Sequence, residues 1–263
     1  MEVQGFADGR FGPVRQCFAE VLAAQPGTGA AFAAWCEGHL VVDLWGGYAD
    51  AGRRRLWDAG SLVQPYSVSK PFAAVCALRL VQAGRLDLDA PVQRYWPGFR
   101  APATVRQVLS HQAGVVMLDQ QVSTEAFYDW NWMCALLAAQ QPAWPPGTAH
   151  GESALFYGHL VGELAEAVTP QCAGPDRVFG GDNAWGLGFG ISADGYGMGG
   201  LGGSYAGAST TGGYTVGFVT GSVGSHDRVD RLENTLRECL GLPPIPAAGD
   251  GGSGAAGLDE EAG

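Results

Sequence analysis

The stretch PYSVSKPF, residues Pro65–Phe72, is the part of the sequence from which its fold and chemistry are best inferred. It places Ser67 three residues before Lys70, where a helix is predicted to begin. Side chains three residues apart lie on the same face of a helix, so we expect the serine hydroxyl and the lysine amine to meet. A serine becomes a strong nucleophile when a nearby base takes its proton, and a neutral lysine can be that base. The N–H groups at the start of a helix would also favour a developing oxyanion.

The composition of the chain adds weight to this Ser-x-x-Lys spacing. Lys70 is the only lysine, and the other fourteen of the fifteen basic residues are arginines. With twelve serines in 263 residues, chance would place a serine three positions before a lone lysine about one time in twenty. The alternative is a solvated lysine at the start of a helix. The segment Phe72–Ala83 carries one charge, Arg79, and predicts a buried helix that is apolar nearly all round, which favours a chemical role for Lys70.

Length and charge limit the classes of protein to consider. A hydrophobic content of 46% and a charged content of 16% are typical of a folded globular protein. We predict one domain over residues 1–246, followed by a disordered, acidic, glycine-rich tail over 247–263. The net charge of −11 argues against nucleic acid as a partner.

The ends and the cysteines suggest a cellular location. The first residues, MEVQGFADGRFG, lack the basic and apolar regions of a signal peptide, and no run reaches transmembrane length. The six cysteines are far apart, so we expect reduced, mostly buried thiols in a cytoplasmic protein with no membrane partner. The five histidines are scattered too, so we expect neither a metal site nor another cofactor.

Hydrophobic periodicity predicts strands near both ends of the chain and helices between them. This order indicates an α/β fold of the α+β type, in which one mixed or antiparallel sheet is assembled from distant segments and flanked by helices. The predicted helices are Phe11–Ala24, Phe72–Ala83, Thr104–His111, Ser123–Gln140, Ser153–Val168 and Arg228–Leu240. The predicted strands are Gly29–Cys36 and His39–Gly47, joined as a hairpin, and the later segments AWGLGFGIS and YTVGFVTGSV.

One predicted helix is unusually rich in aromatic residues. Phe127, Tyr128, Trp130 and Trp132 lie within Ser123–Gln140. Core packing is the expected role of such residues, and lining a substrate pocket is the alternative.

Several further stretches share their pattern with one known superfamily. They are DLWGGYAD (Asp43–Asp50), SVSKP (Ser67–Pro71), LRLVQAGRLDLDAPVQRYWPGF (Leu78–Phe99), TVRQVLSHQAG (Thr104–Gly114), PPGT (Pro145–Thr148), GHLVGEL (Gly158–Leu164), WGLGFGI (Trp185–Ile191) and GGLGGS (Gly199–Ser204). With these motifs the sequence resembles the serine β-lactamase and penicillin-binding-protein superfamily. It is most similar to the class C-like carboxylesterases and β-lactamase-related serine hydrolases.

The resemblance implies a mixed sheet with a helical lobe and a covalent acyl-enzyme mechanism. Ser67 would be the nucleophile and Lys70 its base or proton shuttle. The N–H groups of Ser67 and Leu201 would bind the oxyanion. The implied substrates are small esters or related acyl compounds, without a cofactor, and hydrolysis and acyl transfer both remain open.

The sequence departs from the family pattern at the acid–base group. Where the family carries a catalytic tyrosine, after a gap of three residues beyond the Pro-Gly-Thr turn, this chain has Glu152. Tyr157 is near, but five residues along a helix place it about 140° away. If Glu152 points inward, its charge would keep Lys70 protonated and leave the carboxylate as the available base. Any activity would then be slow.

Two more departures concern the walls of the site. The third family motif, Lys- or His-x-Gly, is here Met198-Gly199-Gly200, which allows close backbone approach but lacks the polar side chain. The segment before the WGLGFG strand is also shorter than in relatives, which predicts a reduced helical lobe. The alternative function is therefore a catalytically impaired homologue that acts as a binding or scaffold protein. The oligomeric state cannot be predicted.

Overall fold

The computed structural model describes residues 2–161, 172–175 and 182–245. The chain divides into two compact units, of which the first contains residues 2–69 and 192–245 and the second contains the described residues from 70 to 191. Each unit has a hydrophobic core of its own. The predicted tail, 247–263, lies outside the described residues, and the assignment of 1–246 to one domain stays a prediction.

The secondary structure follows the predicted order of elements. The strands are β1 (Val3–Ala7), β2 (Ala30–Cys36), β3 (His39–Gly46), β4 (Cys172–Pro175), β5 (Asp182–Trp185), β6 (Gly190–Ile191), β7 (Gly195–Gly199), β8 (Tyr205–Ser209) and β9 (Tyr214–Thr220). The α-helices are α1 (Gly12–Ala24), α2 (Lys70–Gln82), α3 (Val105–Leu109), α4 (Trp130–Ala139), α5 (Tyr157–Leu160) and α6 (Asp227–Leu240). Short 3-10 helices cover Gly9–Phe11, Tyr66–Ser69, Val92–Arg94 and Glu125–Tyr128.

The first unit contains an antiparallel sheet in the order β1-β3-β2-β9-β8-β7. Its predicted hairpin is confirmed, since β2 pairs with β3 from Ala30 opposite Gly46 to Cys36 opposite His39. The turn residues Glu37 and Gly38 both have positive φ, 50° and 80°. Two central residues of this kind match the right-handed twist of the strands they join.

Helices α1 and α6 supply the rest of the core of this unit. Burial alternates along β2 and β9, as expected when one face of each strand packs inward. Both helices begin and end within one residue of their predicted bounds. The central side chains are Phe18, Phe32, Leu44, Phe218, Leu232 and Leu236.

The second unit packs α2, α3, α4 and α5 around its core and contains the antiparallel strands β4-β5-β6. The predicted N-cap of α3 is confirmed, because the Thr104 side chain accepts from the Gln107 N–H and the Gln107 side chain accepts from the Thr104 N–H. In the predicted helix Ser153–Val168 the structure shows α5, and residues 162–168 lie outside the described part. With antiparallel strands and flanking helices, the structure confirms the predicted α/β fold class.

The prediction that α2 is buried on all sides was wrong. Lys70, Ala74 and Leu78 are buried, but Phe72 is 71% exposed and Val75 is also exposed. An apolar sequence indicates that a helix can be buried, but it does not indicate which of its faces other elements will cover.

Core packing was also the wrong expectation for most of the aromatic group. Phe127 packs against the core, whereas Tyr128 is 84% exposed and Trp130 and Trp132 are exposed as well. The predicted helix begins later than expected, at Trp130, because Asp129 caps it through the Trp132 N–H.

Free thiols, as predicted, are found at Cys17, Cys36, Cys76, Cys134 and Cys239. Cys17 and Cys36 are buried but Cys76 is exposed, so the expectation of mostly buried thiols holds in part. Across the described residues, no helix is both long enough and apolar enough to span a membrane.

His111, which follows α3, forms hydrogen bonds with the segment that carries Glu152. The His111 carbonyl accepts from the Gly151 N–H at 3.1 Å, and its Nδ1 accepts from the Ser153 N–H at 3.2 Å. Its ring packs on Tyr157 at a centroid distance of 4.6 Å. Burial, followed by the charges of Lys70 and His150, lowers the pKa of His111 from 6.5 to about 3. The imidazole is therefore neutral in the folded protein.

This depressed pKa predicts a loss of stability in mild acid. Above pH 6.5 the histidine is neutral in both states, and below it the unfolded chain binds a proton that the native chain excludes. The free energy of unfolding should therefore fall by about 1 kcal/mol more for the wild type than for His111→Asn between about pH 7 and about pH 5.5. Asparagine tolerates the positive φ of His111 and does not titrate. Urea unfolding at both pH values measures the difference, and equal pH dependence of the two proteins would contradict a buried neutral imidazole.

Candidate active site

The predicted nucleophile lies in a tight helical turn of the first unit. The 3-10 helix Tyr66–Ser69 contains Ser67, and α2 begins directly after it at Lys70. The Val68 N–H donates to the Pro65 carbonyl at 3.3 Å, and the Ser69 hydroxyl donates to the Tyr66 carbonyl at 2.6 Å. Tyr66 has a φ of 50°, which is unusual for a bulky residue and is often found at functional sites.

The predicted base is paired with a carboxylate in the second unit. Lys70 Nζ lies 2.8 Å from Glu152 Oε1, and the two side chains are 6% and 9% exposed. The contact is an ion pair by distance, although Oε1 accepts no well-aligned hydrogen bond from any residue of the described chain. Glu152 therefore points inward, which is the first of the two arrangements considered from the sequence. Removing one partner of such a buried pair leaves an uncompensated charge.

The backbone around Glu152 is held on both sides. The N–H groups of Gly151 and Ser153, its two neighbours, both donate to His111. The Ser153 hydroxyl also donates to the Val115 carbonyl at 3.0 Å. Because these neighbours are anchored, the carboxylate of Glu152 is directed inward by the fold.

Tyr157 is buried close to this pair but is engaged elsewhere. Its hydroxyl donates to the Leu109 carbonyl at 2.8 Å, and a Cβ at Gly188 would lie 2.9 Å from the same oxygen. Burial raises the pKa of the Tyr157 phenol far above its ordinary value, and the negative charge of Glu152 raises it further. Its proton is thus firmly held and already donated to a backbone carbonyl.

The turn after β7, in the first unit, brings glycines against the nucleophile turn. A Cβ at Gly200 would lie 2.4 Å from the Pro65 carbonyl oxygen, and one at Gly199 would lie 2.6 Å from His226 Nε2. Gly200 therefore shows the close backbone approach that the sequence predicted, whereas the neighbour of Gly199 is the His226 side chain. Met198 is buried, and Leu201 is 61% exposed. No carbonyl of the described backbone accepts from the Leu201 N–H.

Sequence reasoning missed the residues that hold the site in place. His111 lies within TVRQVLSHQAG, but its bonds to Gly151 and Ser153 join segments about 40 residues apart. Tyr66 is adjacent to Ser67, yet nothing in the sequence indicates its positive φ. Among the residues that the structure describes, no three His, Cys, Asp or Glu side chains form a group that could bind a metal ion.

Comparison with known proteins identifies a family that the chain matches. The sequence profile of the family described as Beta-lactamase matches residues 14–174, more than half of the chain. The esterase/beta-lactamase LipL of Mycobacterium tuberculosis is 37% identical over 174 residues, which are 64% of this chain and 39% of LipL. A D-aminopeptidase of Cereibacter sphaeroides is 29% identical over 156 residues, 55% of this chain and 30% of that protein. The chain thus spans about two fifths or less of the length of these relatives.

Solved structures agree with this assignment. A family VIII carboxylesterase has a TM-score of 0.83 and 26% identity, over 91% of this chain and 100% of that chain. A penicillin-binding-protein homologue from Caulobacter crescentus has a TM-score of 0.82 over 91% of this chain and 100% of that chain, and at 23% identity it shows the fold alone. With the profile match, these findings show that the chain belongs to the beta-lactamase family.

Proposed function

We propose that this protein is a serine hydrolase that cleaves small esters or related acyl compounds through an acyl-enzyme on Ser67. The observation that carries the proposal is the buried ion pair between Lys70 and Glu152, whose lysine follows Ser67 by three residues. Two of the similar proteins, an esterase/beta-lactamase and a family VIII carboxylesterase, support the same reaction class. A cytoplasmic location stays a prediction.

In the first step, Ser67 Oγ forms a bond to the carbonyl carbon of the substrate. The carbonyl oxygen becomes an oxyanion, and the N–H groups of Ser67 and Leu201 donate to it. Backbone donors of this kind act because they are fixed before charge develops. Gly199 and Gly200 allow the backbone of the turn to approach the nucleophile.

The serine proton requires an acceptor, and the ion pair determines which group this is. A carboxylate at 2.8 Å favours the ammonium form of a lysine, and an ammonium has no lone pair with which to accept a proton. We therefore assign a relay in which Lys70 Nζ accepts the proton from Ser67 as it passes one of its own to Glu152. The carboxylate is then the base of the reaction, and Lys70 is the shuttle.

The same groups complete the cycle. When the bond from the carbonyl carbon to the alcohol oxygen breaks, Lys70 returns a proton to the leaving alkoxide and regains one from Glu152. Water then attacks the acyl-enzyme, its proton passes to the relay, and the carboxylic acid leaves while Ser67 recovers its hydrogen. If a second alcohol replaces water in this step, the product is a new ester.

The alternative is a binding or scaffold protein in which the chemistry has decayed. The same ion pair is the observation that favours it, because a lysine engaged with a carboxylate is less able to accept the serine proton. The Tyr157 phenol, which is buried, donates to the Leu109 carbonyl. The two functions therefore differ in whether Ser67 reacts.

Labelling with a fluorophosphonate probe tests whether Ser67 is a nucleophile. We expect covalent labelling of the wild type and none of Ser67→Ala, because this serine would supply the attacking oxygen. Ser123→Ala, which changes an exposed serine, is the control and should label like the wild type. Mass spectrometry locates the adduct. A wild-type protein that remains unlabelled would support the scaffold alternative.

Substitution of Glu152 tests the relay. Glu152→Gln keeps the shape of the side chain but cannot accept the proton, so the rate of p-nitrophenyl ester hydrolysis should fall about 100-fold or more. Glu125→Gln, which changes an exposed glutamate, is the matched control and should leave the rate of hydrolysis unchanged. A faster Glu152→Gln enzyme would show that the carboxylate only restrains Lys70, which contradicts the assigned role.

A further inference from the structure

The turn that carries Leu201 is rich in residues of high backbone freedom. Four of the six residues in Gly199–Ser204 are glycines. Glycine loses more conformational freedom than any other residue when it is ordered, so a turn of this composition needs hydrogen bonds that hold it in one conformation. Two of its anchors are internal, since the Gly203 N–H donates to the Gly200 carbonyl at 2.8 Å and the Gly200 N–H donates to the Ser204 carbonyl at 2.7 Å.

The first of these bonds determines the direction of the Leu201 N–H. The Gly200 carbonyl and the Leu201 N–H belong to one planar, trans peptide group and point in opposite directions. A hydrogen bond that fixes the carbonyl therefore fixes the N–H as well. The bond depends in turn on the position of Gly203, whose φ is +82°.

An arginine from α6 anchors the other side of the turn. Arg228 Nη2 donates to the Gly202 carbonyl at 3.1 Å, and a Cβ at Gly203 would lie 3.1 Å from the same nitrogen. The Arg228 Nη1 group is itself held by Gln25 Oε1 at 2.6 Å, Ser222 Oγ at 3.0 Å and Thr220 Oγ1 at 3.1 Å. Its guanidinium therefore joins the turn to the end of α1 and to the end of β9.

The charge of this guanidinium has no direct counterion in the described residues. The acceptors of Arg228 are neutral oxygens, and its salt-bridging neighbour on α6, Arg231, uses Glu20 instead. An unpaired, half-buried cation is costly as a purely structural device. The Leu201 N–H of this turn donates to no described backbone carbonyl. A cation held behind such a turn favours a negative charge in front of it.

We infer that Arg228 is a positioning residue that fixes the Gly199–Ser204 turn so that the Leu201 N–H is directed at the oxyanion. This inference rests on the proposed function, because it deepens the role of Leu201 in the same reaction. Arg228 acts through the turn, by its bond to the Gly202 carbonyl and its contact with Gly203.

Steady-state kinetics of Arg228→Met with a p-nitrophenyl ester test the inference. We expect kcat to fall about 10- to 100-fold while KM changes by less than about twofold, because the oxyanion forms after the substrate binds. Guanidinium at about 10 mM should recover part of kcat, since it can refill the site of the missing group. Arg231→Met, from the exposed arginine three residues along α6, is the matched control and should behave as the wild type.

Hydrogen exchange gives a readout that does not require activity. The amides of Gly200 and Gly203 should exchange faster in Arg228→Met than in Arg231→Met, because the anchor of their turn is lost. If Arg228→Met fails to fold, Arg228→Lys replaces it, with an expected loss in kcat of at least about threefold, since lysine lacks the fork of donors.

Unchanged kcat and unchanged exchange in the folded Arg228 variants would overturn the inference. If the wild type shows no Ser67-dependent turnover, the proposed function fails. Exchange at Gly200 and Gly203 then decides by itself whether Arg228 positions the turn.

Discussion

The buried ion pair between Lys70 and Glu152 is the interaction on which the proposed chemistry of this protein depends. Two opposite charges removed from water are stable only when each remains close to the other. The first charge is fixed by its place at the start of α2. The second is fixed because His111 holds both neighbours of Glu152, and a neutral imidazole adds no third charge to the pair.

The pair also changes the chemistry that the family pattern implies. A tyrosine beside the lysine would exchange a proton between two groups that can both be neutral. A carboxylate beside the lysine favours its charged form, so in the proposed relay a proton moves to Glu152 as Lys70 accepts one from Ser67. The proposed relay is therefore the simplest route by which Ser67 can lose its proton without leaving an unpaired charge in a buried site.

The sequence predicted best what is decided locally. The Ser-x-x-Lys turn, the hairpin around Glu37-Gly38 and the capping box of α3 depend on residues within a few positions of one another. The bounds of α1 and α6 followed from helical periodicity. The family, and with it the fold class, followed from motifs that each lie within one short segment.

What the sequence could not predict depends on distant contacts. The exposed side of α2 is set by which elements cover it, and the inward direction of Glu152 is set by His111, 41 positions earlier in the chain. The anchoring of the turn after β7 by Arg228 joins three segments in the same way. In each case the residue type was compatible with several environments.

The most direct test of the account is a double-mutant cycle on the ion pair, with the rate of Ser67 phosphonylation as the measurement. The variants are Lys70→Met, Glu152→Gln and the two combined. If the pair acts as one proton relay, each single change removes it, and the double variant should be no more than about threefold slower than the slower single variant. Losses that multiply in the double variant would show that the two groups act independently, and would contradict the relay.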